Sequence, residues 1–356
     1  MNIFTDKLSA ALGDTADAAL ILSPENRFYY TGFAASDGAL LITKTDALFF
    51  TDSRYTEAAE RKLGKAYVRD SAKLYEDLAA IFAENGIETV AVENDRLTLA
   101  QFARICEKLP AVRFVSDASL TNLINEQRGV KAEEEIEKIS AAQRIAEAAF
   151  DHILGFIKPG VTEREIGLEL DYYMLRHGAD GLSFETIAVS GVNSSLPHGV
   201  PSDKKVEPGD FITMDYGALK NGYHSDMTRT VALGRVSEEQ KRVYDTVLRA
   251  QTASLEKMCA GVSCFDADKA ARDVIKDAGY GDYFGHGTGH GVGVEIHEFP
   301  RVSPLSKDVL RAGNVVTAEP GIYLPGKFGV RIEDMALITE TGCVNLTRCP
   351  KELIVL

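Results

Sequence analysis

The chain of 356 residues is poor in cysteine, in basic residues and in long apolar runs. Its five cysteines, Cys106, Cys259, Cys264, Cys343 and Cys349, are odd in number and form no Cys-x-x-Cys pair, so reduced thiols are expected rather than a disulfide framework. No segment reaches the roughly 18 apolar residues that span a bilayer. The stretch Met1-Asn2-Ile3-Phe4-Thr5-Asp6-Lys7 also lacks the basic and then apolar pattern of a leader, and a cytoplasmic protein is the expectation. Lys and Arg number 39 against 53 Asp and Glu, a formal net charge of −14. That balance repels phosphate backbones and anionic lipid at long range, which sets aside nucleic acid and membrane as partners and leaves small ligands, peptides or cations.

What is present is ordinary globular material, 45% hydrophobic and 26% charged. At about 150 residues per domain, the length suggests about two domains. Ala19–Leu22, Ala39–Thr43, Ala47–Thr51 and Val90–Val92 read as strands, and Thr56–Leu63 and Lys73–Asn85 as helices, the second ended by Gly86. This mixed α/β region, residues 1–127, carries no nameable catalytic group. From Ala132 to Ile157 the apolar positions Ile136, Ile139, Ala142, Ala146, Ala149, Ile153 and Ile157 recur every three or four residues, predicting one long amphipathic helix with an acidic start. A boundary near 125–131 is expected, with a second domain over 128–356.

The second domain contains an internal repeat. Gly160-Val-Thr162 and Gly261-Val-Ser263 each open a helix, closing at Gly178 and Gly279, and Thr162 with Glu165 forms a capping box. Pro208–Gly217 aligns without gaps with Ala312–Gly321, and His198-Gly-Val-Pro201 with His297-Glu-Phe-Pro300. Two helix-then-sheet halves facing one another about a pseudo-twofold axis would create a site at their seam.

The repeat carries chemistry. Asp215 ends the strand-like run Phe211–Met214, and Asp226 opens Met227–Leu233 across the turn Lys220-Asn-Gly-Tyr-His, so a hairpin brings both carboxylates to one face. Glu319 and Glu333 hold the corresponding places in the second half. Four converging carboxylates repel unless cations neutralise them, which points to two divalent metals. The run Gly285-His-Gly-Thr-Gly-His-Gly-Val-Gly-Val-Glu-Ile-His-Glu298 lacks the third glycine of a dinucleotide fingerprint and instead presents His286, His290 and His297 on a permissive backbone. In the first half Gly191 aligns with His290, so a unique imidazole would make the two metal positions inequivalent. Taken singly, Asp226 is also a turn carboxylate or a partner of Arg229, Glu333 an ion-pair residue, and His290 a hydrogen-bonded core histidine.

Pro197-His-Gly199, Asp215-Tyr-Gly217, Ser225-Asp-Met-Thr-Arg229, Gly285–Gly293, Ile296-His-Glu298, Ala318-Glu-Pro-Gly321 and Val330-Arg-Ile-Glu-Asp334 together resemble the pita-bread-fold metallopeptidases. Within them they are similar to the Xaa-Pro aminopeptidase and prolidase branch. The resemblance implies an α+β fold, with a duplicated pita-bread domain after a creatinase-like N-terminal domain. It also implies a dinuclear site ligated by Asp215, Asp226, His290, Glu319 and Glu333, most often for manganese, with cobalt or zinc as alternatives. The implied reaction is cleavage between an N-terminal residue and proline. Glu319 would take a proton from the attacking water, and His198 and His297 would serve as oxyanion donors or proton shuttles. His286 and Arg331 resemble second-shell or substrate-contacting positions, and Tyr323 would line the same pocket. Arg301 resembles an arginine that holds a dipeptide's carboxylate, with a salt bridge at the entrance as the alternative. The leading expectation is an Xaa-Pro aminopeptidase acting on peptides, commonly as a homodimer. A prolidase restricted to dipeptides is its nearest rival, and an inactive pita-bread protein that binds peptides or proteins is an alternative of another class.

Overall fold

The computed structural model describes residues 3–13 and 15–356; Met1 and Asn2, read above for a leader, lie outside that set. The chain divides into two compact units, Met1–Arg128 and Gly129–Leu356. No helix among the described residues is long and apolar enough to cross a membrane.

The first unit holds helices α1 (Ile3–Leu12), α2 (Pro24–Thr31), α3 (Thr56–Leu63), α4 (Leu74–Asn85), α5 (Leu99–Lys108) and most of α6 (Ser119–Gly129). Its strands are β1 (Ala18–Ile21), β2 (Ala39–Thr43), β3 (Ala47–Thr51), β4 (Val68–Asp70), β5 (Thr89–Val92) and β6 (Arg113–Val115), in the sheet order β4-β3-β2-β1-β5-β6. β2 pairs antiparallel with β1 and β3, while β3–β4, β1–β5 and β5–β6 are parallel. The apolar runs read from the sequence are the central strands because their side chains are buried, as Leu20, Leu41, Phe50 and Val90 show beneath Leu78 and Phe82 of α4. Gly86 closes α4 at φ 65°, its N–H donating to the Phe82 carbonyl, a left-handed end that glycine adopts without strain.

In the second unit α7 (Glu133–Phe156) buries Ile139, Ala142, Ala146, Ala149 and Ile153 of the face that its periodicity predicts, and Phe150 besides, while Ile136 is half-buried and Ile157 follows the helix end. Then follow α8 (Glu163–Arg176), β7 (Gly181–Leu182), β8 (Ile187–Ser190), β9 (Phe211–Tyr216), β10 (Ala218–Lys220), β11 (Tyr223–His224) and β12 (Met227–Ala232). The second half brings α9 (Glu238–Lys257), α10 (Cys264–Asp277), β13 (Gly289–Gly291), β14 (Glu298–Val302), β15 (Val315–Ala318), β16 (Gly321–Leu324), β17 (Phe328–Arg331), β18 (Asp334–Thr339) and β19 (Gly342–Asn345).

The duplication is visible in this order. α7 and α9 end 101 residues apart (156 and 257), as α8 and α10 begin and end (163 and 264, 176 and 277). The antiparallel sheet β8-β9-β12 recurs as β13-β15-β18 inside a five-stranded sheet extended by β14 and β19. α7 and α8 cover the first sheet through residues such as Phe150, Ile166 and Leu170 against Ile212 and Met214. Cys264 and Ala267 of α10 pack against Val316, Ala318 and Ala336 of the second.

The ladders correct one alignment. Ser190 pairs with Ile212 and Gly291 with Val316, and Ile212 corresponds to Val316 in the repeat, so His290 matches Val189 rather than Gly191. The helix offset of 101 residues (189 to 290) persists into the strand, whereas the sequence alignment carried back the offset of 99 between His198 and His297. The first half still offers no imidazole at this place.

Candidate metal centre

Asp215 lies within β9, not at its end, because the strand continues through Tyr216. It faces Ile187 on one side and Thr228 on the other. Asp226 is the residue before β12, and the chain between the two aspartates folds into the small β10–β11 ribbon. Asn221 and Gly222 form its turn at φ 52° and 75°, the two positive values that a tight hairpin of this hand requires. The second half repeats the plan. Glu319 follows β15, Glu333 precedes β18, Ala318 pairs with Asp334, and the β16–β17 hairpin lies between. His290 is central in β13, reached through Gly289, where an added Cβ would lie 2.0 Å from the Thr317 carbonyl oxygen.

These residues line one cleft of about 710 Å³, together with His198, His286, His297, Arg301 and Arg331. Asp226, His290 and Glu333 each bring a ligand atom within 4.8 Å of the others, and they are 4%, 7% and 1% exposed. His290 Nε2 is 3.3 Å from Glu319 Oε1 and 3.5 Å from Asp226 Oδ2. Its Nδ1 lies 3.0 Å from the Gly291 carbonyl oxygen. A carbonyl accepts, so Nδ1 donates there, and Nε2 is turned toward the carboxylates.

Burial pushes the Asp226 carboxyl far above its usual range, with the charges of Asp215 and Glu319 adding to it. Glu333 rises strongly for the same reasons, burial first and then Asp226, Glu319 and Asp215. Asp215 rises through burial, against the pull of Arg331. Glu319 moves the other way: burial opposes its charge, but the hydrogen bond and charge of His290 hold it down at about 2. Asp215 Oδ1 and Glu333 Oε1 are buried without a hydrogen-bond partner among the described residues. Two orphaned carboxylate oxygens beside an imidazole nitrogen form a donor set short of cations, and oxygen-rich sites with one nitrogen suit divalent metals.

A hydrogen-bonded chain lies behind the ligand candidates. Arg331 Nη2 donates to Asp215 Oδ2 at 2.6 Å, its Nη1 to the Tyr323 hydroxyl at 2.8 Å and its Nε to Thr228 Oγ1 at 3.1 Å. His286 Nδ1 faces the Gly287 carbonyl at 2.8 Å and so donates, leaving Nε2 to accept from the Tyr323 hydroxyl at 2.9 Å. Tyr323 is thus not a cleft-lining residue as expected. Its hydroxyl is engaged by Arg331 and His286, and its side chain is buried. Sequence reasoning missed Thr228, whose hydroxyl donates to Glu333 Oε2 at 2.7 Å, and Thr317, whose hydroxyl accepts from the His290 N–H at 3.1 Å and approaches Glu319 at 3.3 Å. Their signal was their place on strands beside the candidate ligands.

The remaining predicted residues occupy the cleft wall. The His297 ring packs edge-on against His290 at 4.4 Å between centroids, and burial pulls its pKa down. His198 is exposed on the wall. Arg301 pairs with His290 across the β13–β14 ladder, so both side chains lie on the same face of the sheet. Arg301 is exposed in the cleft and makes no ion pair among the described residues, so the salt bridge held open above is not formed.

Residues 137–340 match the model of metallopeptidase family M24, and residues 6–130 that of the creatinase/prolidase N-terminal domain. The chain is 39% identical to an Xaa-Pro dipeptidase of Pyrococcus furiosus over 344 residues, 96% of each chain. The solved Xaa-Pro dipeptidase from Bacillus anthracis superposes with a TM-score of 0.94 at 41% identity, covering 99% of both chains. An X-Pro aminopeptidase from Thermotoga maritima gives 0.89 at 39% identity, covering 96% of this chain and 98% of that one. The duplicated sheet, the carboxylate cluster and likeness along nearly the whole length agree: the chain belongs to metallopeptidase family M24, as a metal-dependent peptidase of pita-bread fold preceded in sequence by a creatinase/prolidase N-terminal domain.

Proposed function

We propose that the protein is an exopeptidase that hydrolyses the bond between an N-terminal residue and a following proline, an Xaa-Pro aminopeptidase. The observation that carries this reading is the convergence of Asp226, His290 and Glu333 within 4.8 Å in a histidine-walled cleft. It is supported by likeness to relatives named for Xaa-Pro cleavage. Asp215, Asp226, His290, Glu319 and Glu333 would hold two divalent cations, manganese by expectation, with cobalt or zinc as alternatives. When bound, such ions supply Lewis acidity for the scissile carbonyl and lower the pKa of an attacking water.

The chain's own residues do the rest. Glu319, whose Oε1 lies 3.3 Å from His290 Nε2 inside the carboxylate cluster, accepts the proton of the attacking water. His198 and His297 stand on the wall, where a ring N–H can donate to the developing oxyanion. Proline nitrogen carries no hydrogen in the peptide and leaves only once protonated, and a wall histidine can deliver that proton. Arg331 fixes Asp215 and Thr228 fixes Glu333, so the carboxylates keep their geometry without substrate.

A second reading, the Xaa-Pro dipeptidase or prolidase, is favoured by Arg301, an exposed cleft guanidinium with no ion pair among the described residues. It suits the free carboxylate of a dipeptide's proline. Comparing kcat/KM for an Xaa-Pro dipeptide and an Xaa-Pro-Xaa tripeptide, with manganese, cobalt and zinc supplied in turn, decides between them. Strong dipeptide preference removes the aminopeptidase name, and no cleavage of either with any of these metals removes both. The reading includes a cytoplasmic homodimer, which fractionation and light scattering test.

A further inference from the structure

We propose that Glu163 is a positioning residue, which fixes the loop carrying His198 against the cleft and thereby sets the rate of the chemical step. This rests on the reading of His198 as an oxyanion donor or proton shuttle.

Glu163 is the first residue of α8 and is fully buried, at 0% exposure. It is not needed to cap its own helix, because Thr162 and Glu165 complete the capping box there. Its carboxylate turns instead to the segment after β8. Oε1 accepts from the Ser190 N–H at 2.6 Å and the Ser190 hydroxyl at 2.9 Å. Oε2 accepts from the Ser202 hydroxyl at 2.6 Å and the Ser202 N–H at 3.1 Å. Asn193 Nδ2 lies 3.1 Å from both oxygens. Ser190 and Ser202 are the two ends of the loop 191–201, so one side chain fastens both ends and the interior. Within it, Pro197, His198 and Pro201 line the cleft. Glu163 forms no ion pair among the described residues; Lys204 donates to the Ser190 hydroxyl and pairs with Asp210. Its bonding capacity is therefore given over to the loop.

The second half meets the same need at a different position. Its counterpart of Glu163 is Cys264, and there Asp268, one turn further along α10, accepts from the Thr288 N–H at 3.0 Å and hydroxyl at 2.9 Å. Arg272 pairs with Asp268 and donates to the carbonyl oxygens of Phe284 and His286, fixing the segment that bears His286. A buried carboxylate on the preceding helix thus ties a histidine-bearing loop in each half, at sites that are not equivalent. What the two halves share is the fixing of the loop.

The test uses the full chain loaded with manganese and an Xaa-Pro dipeptide. Glu163→Gln replaces one acceptor with a donor that faces the Ser190 or Ser202 N–H. It should lower kcat roughly 10- to 100-fold with KM little changed, since small displacements of a reacting group act at this scale. Hydrogen exchange should rise in 190–202 and stay unchanged in 211–232 and 315–339. In a His198→Ala background the same substitution should cost less than about twofold, because the two act through one group. Should Glu163→Gln fail to fold, Ser202→Ala carries the same cycle with a smaller loss. An equal loss with and without His198, or unchanged kcat, overturns the proposal. Failure of the wild-type chain to cleave any Xaa-Pro peptide overturns the functional reading instead, and unaltered exchange in 190–202 then overturns the positioning of the loop separately.

Discussion

The Arg331 guanidinium donates to Asp215 at 2.6 Å, with the two side chains only 4% and 13% exposed. The planar fork reaches Asp215, Tyr323 and Thr228 at once, which an ammonium cannot do. Arg331→Lys should therefore keep the fold and lose most of the turnover. Arg331→Met should destabilise the protein by about 3–5 kcal/mol, the usual consequence of leaving a buried charge without its partner. Thermal unfolding and steady-state kinetics of both variants separate the two effects, and equal turnover in Arg331→Lys would show that the fork is dispensable.

Asp226→Asn removes one of four crowded negative charges. Since burial and its neighbours push the Asp226 carboxyl far up, the metal-free variant should be at least as stable as the metal-free wild type. Activity should vanish, and the stabilisation that added manganese gives the wild type should shrink. Melting curves with and without metal read this directly; near wild-type turnover would remove Asp226 from the ligand set.

The raised carboxyls of Asp215, Asp226 and Glu333 bind protons more tightly in the metal-free native chain than in the unfolded one. Native-state proton binding in excess makes stability fall as pH rises, starting from the ordinary carboxylate range of about 4 and continuing through the raised values. Glu319, held at about 2, contributes oppositely: its stabilisation is present above the ordinary carboxylate range of about 4 and is lost as the pH falls from there through about 2. Metal uptake at neutral pH should then release protons. Calorimetric titration of apoprotein in buffers of different ionisation enthalpy measures that number, and heats independent of buffer would contradict it.

Arg301→Ala should raise KM for an Xaa-Pro dipeptide about tenfold, the scale of one charge-assisted contact in a partly solvated site. The same change should leave a tripeptide amide nearly untouched, as it has no carboxylate at that place. Parallel kinetics on the two substrates give the answer, and an equal effect on both would assign Arg301 to the fold of β14.

Much of this arrangement is legible in the sequence, for identifiable reasons. The helix offset of 101 residues (163 to 264) survives because helix starts carry local signals, a capping residue and a following acid. Asp215, Asp226, Glu319 and Glu333 were found because strand-turn-strand spacing places them on one face. Less was legible where contacts cross the seam. Tyr323 lies four residues after Glu319 and was assigned to the pocket, but only the meeting of β17 with Thr228 shows that Arg331 and His286 occupy its hydroxyl. Val189, not Gly191, matches His290, because pairing register is a property of neighbouring strands, which a single segment does not encode. Thr228 and Thr317 carry no periodic signal, and their importance comes from what stands opposite.

The seam has a consequence for how the catalytic unit comes apart. Asp215 and Asp226 belong to one half, His290, Glu319 and Glu333 to the other, and Glu333 is fastened to Thr228 through both backbone and hydroxyl. A cation held among them would in effect be a removable cross-link between two copies of one repeated unit. Its binding energy would be available only while both copies are docked, so it would resist their separation and have far less purchase on fraying within either one. Stripping the metal should loosen the join before it loosens the halves, and restoring it should restore a single cooperative transition.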